Sequence, residues 1–208
     1  MVSAKARPET LHDYEWGSDP SLYTLKYPVS GSPEIAEKVQ QLLQSNGLTS
    51  SIDPRRDLDH GVWVPLTHLR PQADIPVVSL SIQPHRDARH HFEIGRALAP
   101  LREEGVLIIA SGAVTHNLRG IGRYAREDPA ESYASEFAGW VERHVETKSI
   151  EKLMNFPEEA PHARRNHPSI EHFLPLFIPL GAASGDPWRR IHKSWTYGVL
   201  AMDIYRCG

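Results

Sequence analysis

The fold predicted by this sequence is a three-layer α/β/α domain with a mixed, partly parallel sheet, and three observations carry the prediction. Residues 75–82, with Ile75, Val77, Val78, Leu80 and Ile82, form a β-branched apolar run too short for a core helix. Residues 106–112, opening on Val106, Leu107, Ile108 and Ile109, form a second run that is apolar on both faces. Between them Ile94, Leu98 and Leu101 mark one face of a helix over 87–103, with Pro100 as an irregularity. A strand, a helix and a second two-faced strand make a βαβ unit, which requires parallel pairing and helices on the sheet faces.

The first 31 residues are turn-rich, with Gly17, Pro20, Pro28 and Gly31 among Tyr14, Trp16, Tyr23 and Tyr27, and read as a segment wrapped over a core. Ser32 is placed as an N-cap with Pro33 at the first helical position. Ile35, Val39, Leu42 and Leu43 then recur at helical spacing and Gly47 closes a helix over 33–45. A short strand is expected at 48–52 and a short helix within 61–69, limited by Pro65 and Pro71. Asp128, Pro129 and Glu131 resemble a capping box for a helix that turns Tyr133, Phe137, Trp140, Val141 and Val145 inward and ends near Lys148. Residues 155–168 are polar and proline-broken, a predicted loop. Residues 169–180 are apolar and read as helical, limited by Pro175 and Pro179, and 194–205 read as a last strand. There is no internal repeat, and the 208 residues fit one domain, 1–208.

Composition narrows the function. A net charge of −3 gives no basic field for nucleic acid or an anionic membrane surface. No apolar run approaches the roughly 20 residues of a membrane span, and the start lacks the apolar core of a signal peptide. One cysteine, Cys207, makes no internal disulfide. These features predict a soluble cytoplasmic protein. The unusual count is histidine, at 12, the commonest metal ligand and the side chain that titrates near neutrality.

Position separates the histidines. His116 comes just beyond the strand ending in Ser111 and Gly112, where ligands bind in open α/β sheets; the competing reading is a turn histidine. His60 follows Asp59, and His12 precedes Asp13, but adjacent residues seldom bond ring to carboxylate, so both also read as loop histidines. His162, His167 and His172 recur at a spacing that rotates each ring off the previous helical face, with Pro161 and Pro168 between, so no three-histidine site comes from this segment alone. His172, next to Glu171 in the first turn of a helix, is the better placed of the three. His85, His90 and His91 read as a solvated surface. Dinucleotide, phosphate-loop, nucleophile-elbow and zinc-protease motifs are all absent. From the residues alone, the chain is an α/β domain with a histidine-based site.

The same residues carry a resemblance. The run from Asp59, His60 and Gly61 to Pro65 and Leu66, then Ala73 to Ser81, resembles the 4,5-DOPA extradiol dioxygenase-like enzymes, of the class III (LigB-type) extradiol ring-cleavage dioxygenases. Gly95 to Gly112, closing in Thr115-His116-Asn117-Leu118-Arg119, is similar in order and spacing. So is His167-Pro168-Ser169-Ile170-Glu171-His172 with Gly181, Ala182 and Ala183. The likeness runs from about residue 10 to near the C-terminus.

The resemblance implies a single mononuclear Fe(II) or Zn(II) site and a small aromatic diol such as DOPA, opened beside its hydroxyls by O2. It implies His116 as the acid–base residue, His172 as a metal ligand, and His60 and His12 facing substrate. Family members begin with strands carrying a His-Gly and a Ser-x-His motif that supply two further ligands. Here residues 10–16 already match the family block lying beyond both motifs, so neither ligand has a counterpart. Loss of those strands is expected to expose apolar faces at 75–82 and 106–112, with open edges that invite homo-oligomers. Three alternatives stay open: a catalytically inactive member serving as a binding or scaffold module, a truncated inactive fragment, and a zinc hydrolase of the same fold.

Overall fold

The structure, a computed structural model, describes residues 1–13 and 19–207; Tyr14, Trp16 and Gly17 of the predicted turn-rich segment lie outside the described residues. The chain is α/β, with short strands and helices along its length. It divides into two compact units, Met1–Ser81 and Ile82–Gly208. Among the described residues no helix is long and apolar enough to cross a membrane.

In the first unit β1 (Val2–Ser3) pairs in parallel with β2 (Ile52–Asp53). Helix α1 (Pro33–Ser45) starts where its sequence places it. Ser32 is extended and its hydroxyl accepts the Ile35 N–H at 3.3 Å, while Pro33 occupies a position whose N–H has no helical partner. Gly47, at φ 73, ends it in the left-handed region that glycine adopts without a Cβ clash. Ala36, Val39 and Leu43 form its buried face. Helix α2 (His60–Leu69) persists through Pro65, which cannot donate to the Gly61 carbonyl. Its Trp63 packs with Tyr27, Val29 and Leu58 in a small core.

The second unit is built on aromatic burial. Phe137 of α4 (Ser132–Glu146) and Phe156, Phe173 and Phe177 are fully buried, Phe156 and Phe173 meeting edge-on with centroids 4.6 Å apart. Each such side chain is worth about 1.5–3 kcal/mol relative to exposure. Helix α3 (Ala88–Leu98) continues as a 3-10 turn over Ala99–Glu104, as Pro100 requires. It crosses α8 (Phe177–Ala182) backbone to backbone: a Cβ on Gly95 would lie 1.9 Å from the Ile178 carbonyl oxygen, and one on Gly181 2.0 Å from that of Phe92.

Several expectations are corrected. Residues 106–112 join neither a helix nor a strand ladder among the described residues, and the predicted strand at 75–82 makes only isolated bridges, at Val77 and Leu80. β-branched residues disfavour helix on their own, whereas a ladder needs a neighbouring strand. The predicted apolar exposure is present: Leu107 is 80% exposed, Ile109 48% and Ile75 57%. Helix α4 begins at Ser132 rather than after Asp128, because the Asp128 carboxylate accepts the Ala125 N–H at 2.7 Å and closes the preceding turn. The predicted loop at 155–168 is partly helical, with α5 (Ile150–Met154) followed by α6 (Phe156–Glu159) and α7 (Ala163–Asn166). The predicted helix at 169–180 forms only at its end, as a 3-10 turn over Leu174–Leu176 and then α8.

The last predicted strand is a pair of antiparallel ribbons. β3 (Trp188–His192) pairs with β6 (Ile204–Cys207), and β4 (Trp195–Thr196) pairs with β5 (Leu200–Ala201) around Tyr197 and Gly198, both in the left-handed region. Arg190 in β3 reaches Glu142 at 2.5 Å and Asp203 at 3.2 Å. Burial pushes the Asp203 carboxyl up, against the pull of Arg190.

Candidate active site

The site of the second unit is assembled where the 106–112 segment ends. Gly112 passes so close to the 172 backbone that a Cβ would lie 2.4 Å from the His172 carbonyl oxygen. The next residue, Ala113, donates its N–H to that oxygen at 2.8 Å. Thr115 is buried, its hydroxyl donating to the Val199 carbonyl at 2.9 Å and accepting the Ala201 N–H at 2.7 Å. His116 then donates its backbone N–H to the Asn166 carbonyl at 3.0 Å. Asn166, also buried, ties its amide to the carbonyls of Tyr133 and His162 at 3.2 and 3.1 Å.

These clamps bring together two predicted site residues. The imidazoles of His116 and His172 stack with centroids 3.5 Å apart and planes 14° from parallel. Burial, then the neighbouring His172, hold the His116 pKa below its ordinary value, so the ring is a neutral base near pH 7. His172 places Nδ1 3.0 Å from Glu171 Oε1, which also accepts the Ser169 hydroxyl at 2.8 Å. Burial alone would raise the Glu171 pKa, but the bonds from Ser169 and His172 outweigh it and hold the carboxyl ionised.

Sequence reasoning set His167 aside, and the structure gives it a part in the site's support. It is buried against Phe137 and Phe173, and its Nε2 donates to the Val114 carbonyl at 2.8 Å. Desolvation pushes its pKa down to about 4. The family-like run from His167 to His172 begins on this residue, but no spacing rule marks it as the one that pins the backbone ahead of His116.

The other two predicted residues belong to the first unit. His60 Nδ1 lies 2.8 Å from Asp13 Oδ1, and its backbone N–H donates to the same oxygen at 3.2 Å. The orienting carboxylate is thus Asp13, not the adjacent Asp59, whose carboxylate takes Arg56 at 2.7 Å. His12 donates from Nε2 to the Leu25 carbonyl at 3.0 Å, and its ring lies edge-on to Trp63 at 5.9 Å.

Among the described residues no group of three or more His, Cys, Asp or Glu side chains is disposed to hold a metal ion. The His116–His172 pair does not do so either. A zinc–imidazole bond is about 2.0–2.1 Å long and lies in the ring plane, and two near-parallel planes 3.5 Å apart do not meet at one ion. The described residues do not fit a complete metal site.

The chain belongs to the family of the catalytic LigB subunit of aromatic ring-opening dioxygenase, which it matches over residues 1–205. It is 41% identical to 4,5-DOPA dioxygenase extradiol of Beta vulgaris over 95% of this chain and 74% of the relative. The Escherichia coli K12 protein of the same name is 37% identical over 88% of this chain and 68% of its own length. A crystal structure of an uncharacterised Escherichia coli K12 protein superimposes with a TM-score of 0.80 at 32% identity, covering 98% of this chain and 79% of that one.

Proposed function

We propose that this chain opens the ring of a catechol-type, DOPA-like diol beside its hydroxyls, both atoms of O2 entering the product. The observation that carries the reading is the His116–His172 stack, held by backbone bonds within the blocks that resemble the extradiol enzymes. His116 takes a hydroxyl proton from the diol and returns it as the ring opens; a base kept neutral at pH 7 suits that task. His60, oriented by Asp13, and His12, against Trp63, are proposed to face substrate. The resemblance assigns His172 to Fe(II) or Zn(II). The described residues bring it no second and third donor, so no step is assigned to a metal. The continuous family match supports reading 1–208 as one catalytic domain, and the net charge of −3 supports a cytoplasmic, small-molecule role without nucleic acid or membrane partners.

The test is oxygen uptake by the purified protein with DOPA in air, supplied with Fe(II) and, in parallel, Zn(II). Uptake should match ring-opened product and fall by about 10²–10⁴ in His116→Ala with the circular dichroism unchanged. DOPA binding without oxygen uptake in any arm refutes the enzyme reading and leaves the binding module. Full activity in His116→Ala removes that residue from the reaction.

A further inference from the structure

We infer that Glu171 is a positioning residue that fixes His172 in the tautomer with its proton on Nδ1, leaving Nε2 as a bare acceptor beside the His116 ring. An ionised carboxylate carries no proton and only accepts, so the 3.0 Å contact requires the hydrogen to sit on Nδ1. A neutral imidazole in water favours the opposite form, with the proton on Nε2, so the contact reverses the intrinsic preference. Glu171 is itself restrained, because the Ser169 hydroxyl donates to the same Oε1 at 2.8 Å. The His172 backbone is held through the Ala113 N–H and its ring plane through the stack, so the carboxylate meets a ring whose place is already set.

The same segment supplies the contrast. His167 gives its Nε2 hydrogen to the Val114 carbonyl and so leaves Nδ1 bare and buried. Two histidines of one segment are thus held in opposite tautomers, each by the acceptor it faces. In the proposed ring opening, a bare Nε2 on His172 is what lets that ring accept rather than donate. The inference rests on the proposed reaction for its purpose, while the tautomer is measurable without substrate or metal.

The experiment is 15N spectroscopy of the imidazoles at a pH where both rings are neutral, on the full chain and on Glu171→Ala and His116→Ala. In the parent, the protonated nitrogen of His172 should be Nδ1 and that of His167 should be Nε2. Glu171→Ala, a change at a part-exposed side chain, should move the His172 proton to Nε2 and leave His167 as it was. His116→Ala, which removes the stacked ring and keeps the carboxylate, should retain the parent tautomer. Persistence of Nδ1–H in Glu171→Ala, or its loss in His116→Ala, overturns the inference. Neither outcome depends on whether the protein opens a catechol ring, so the two readings fail separately.

Discussion

Replacing His167 by glutamine should flatten part of the protein's acid sensitivity. Glutamine keeps an N–H donor where Nε2 meets the Val114 carbonyl but does not titrate. His167 in the folded chain has its pKa pushed from 6.5 down to about 4, chiefly by desolvation inside the Phe137–Phe173 cage, with the bond to Val114 opposing and His116 and His172 adding smaller repulsions. Between these two values the unfolded chain binds a proton that the folded chain refuses. Stability is therefore fully present above about pH 6.5 and is lost as pH falls toward about 4. At 1.36 kcal/mol per pH unit, the whole window is worth about 3 kcal/mol, of which about 2 kcal/mol falls between pH 7 and pH 5. Urea titrations at several pH values in that range, on parent and variant, read the difference directly. Contributions from other groups, such as the buried His91, are common to both proteins. The parent should lose about 2 kcal/mol more than His167→Gln between pH 7 and pH 5; parallel curves would show that His167 charges without cost and that the cage argument fails.

The same geometry sets three further outcomes. Arg190→Met leaves the nearly fully buried Asp203 without its cation and should cost about 3–5 kcal/mol in urea unfolding, whereas a loss within experimental error would mean Asp203 is satisfied elsewhere. Gly112→Ala places a methyl 2.4 Å from the His172 carbonyl oxygen and should destabilise the chain by about 1–3 kcal/mol while abolishing the ring-current signature of the histidine stack; an intact stack at full stability contradicts that placement. Leu107→Lys with Ile109→Lys puts charges on the exposed unladdered segment and should reduce concentration-dependent association in sedimentation velocity, and identical profiles for parent and variant would show that this edge does not drive self-association.

How far the sequence could be read depends on the range over which each determinant acts. Helix α1 was legible because its cap, its proline and its apolar stripe are all local, and Ser32 does cap it. That 106–112 is not helical was legible for the same reason; its lack of a ladder was not, because a ladder belongs to two segments. Asp128 failed as a cap because its carboxylate has two short-range uses, and the turn at Ala125 took it. The Asp13–His60 contact spans 47 positions, and no spacing rule reaches that far. The stack of His116 on His172 is likewise non-local. Only the order of the resembling blocks pointed to both rings, and nothing short of coordinates showed that Glu171 and His167 hold them.

The crossing of α3 and α8 through Gly95 and Gly181 has a consequence for how this site varies. Where helices touch through side chains, a substitution is absorbed by rotamers and small slides. Here main chain meets main chain, so there is no compliant layer to absorb one. Helix α8 comes directly after the 3-10 turn that leads out of the His172 segment, so the histidine inherits its position from this joint. The surface around such a root is free to drift, while a single added methyl at either glycine is felt at the imidazole.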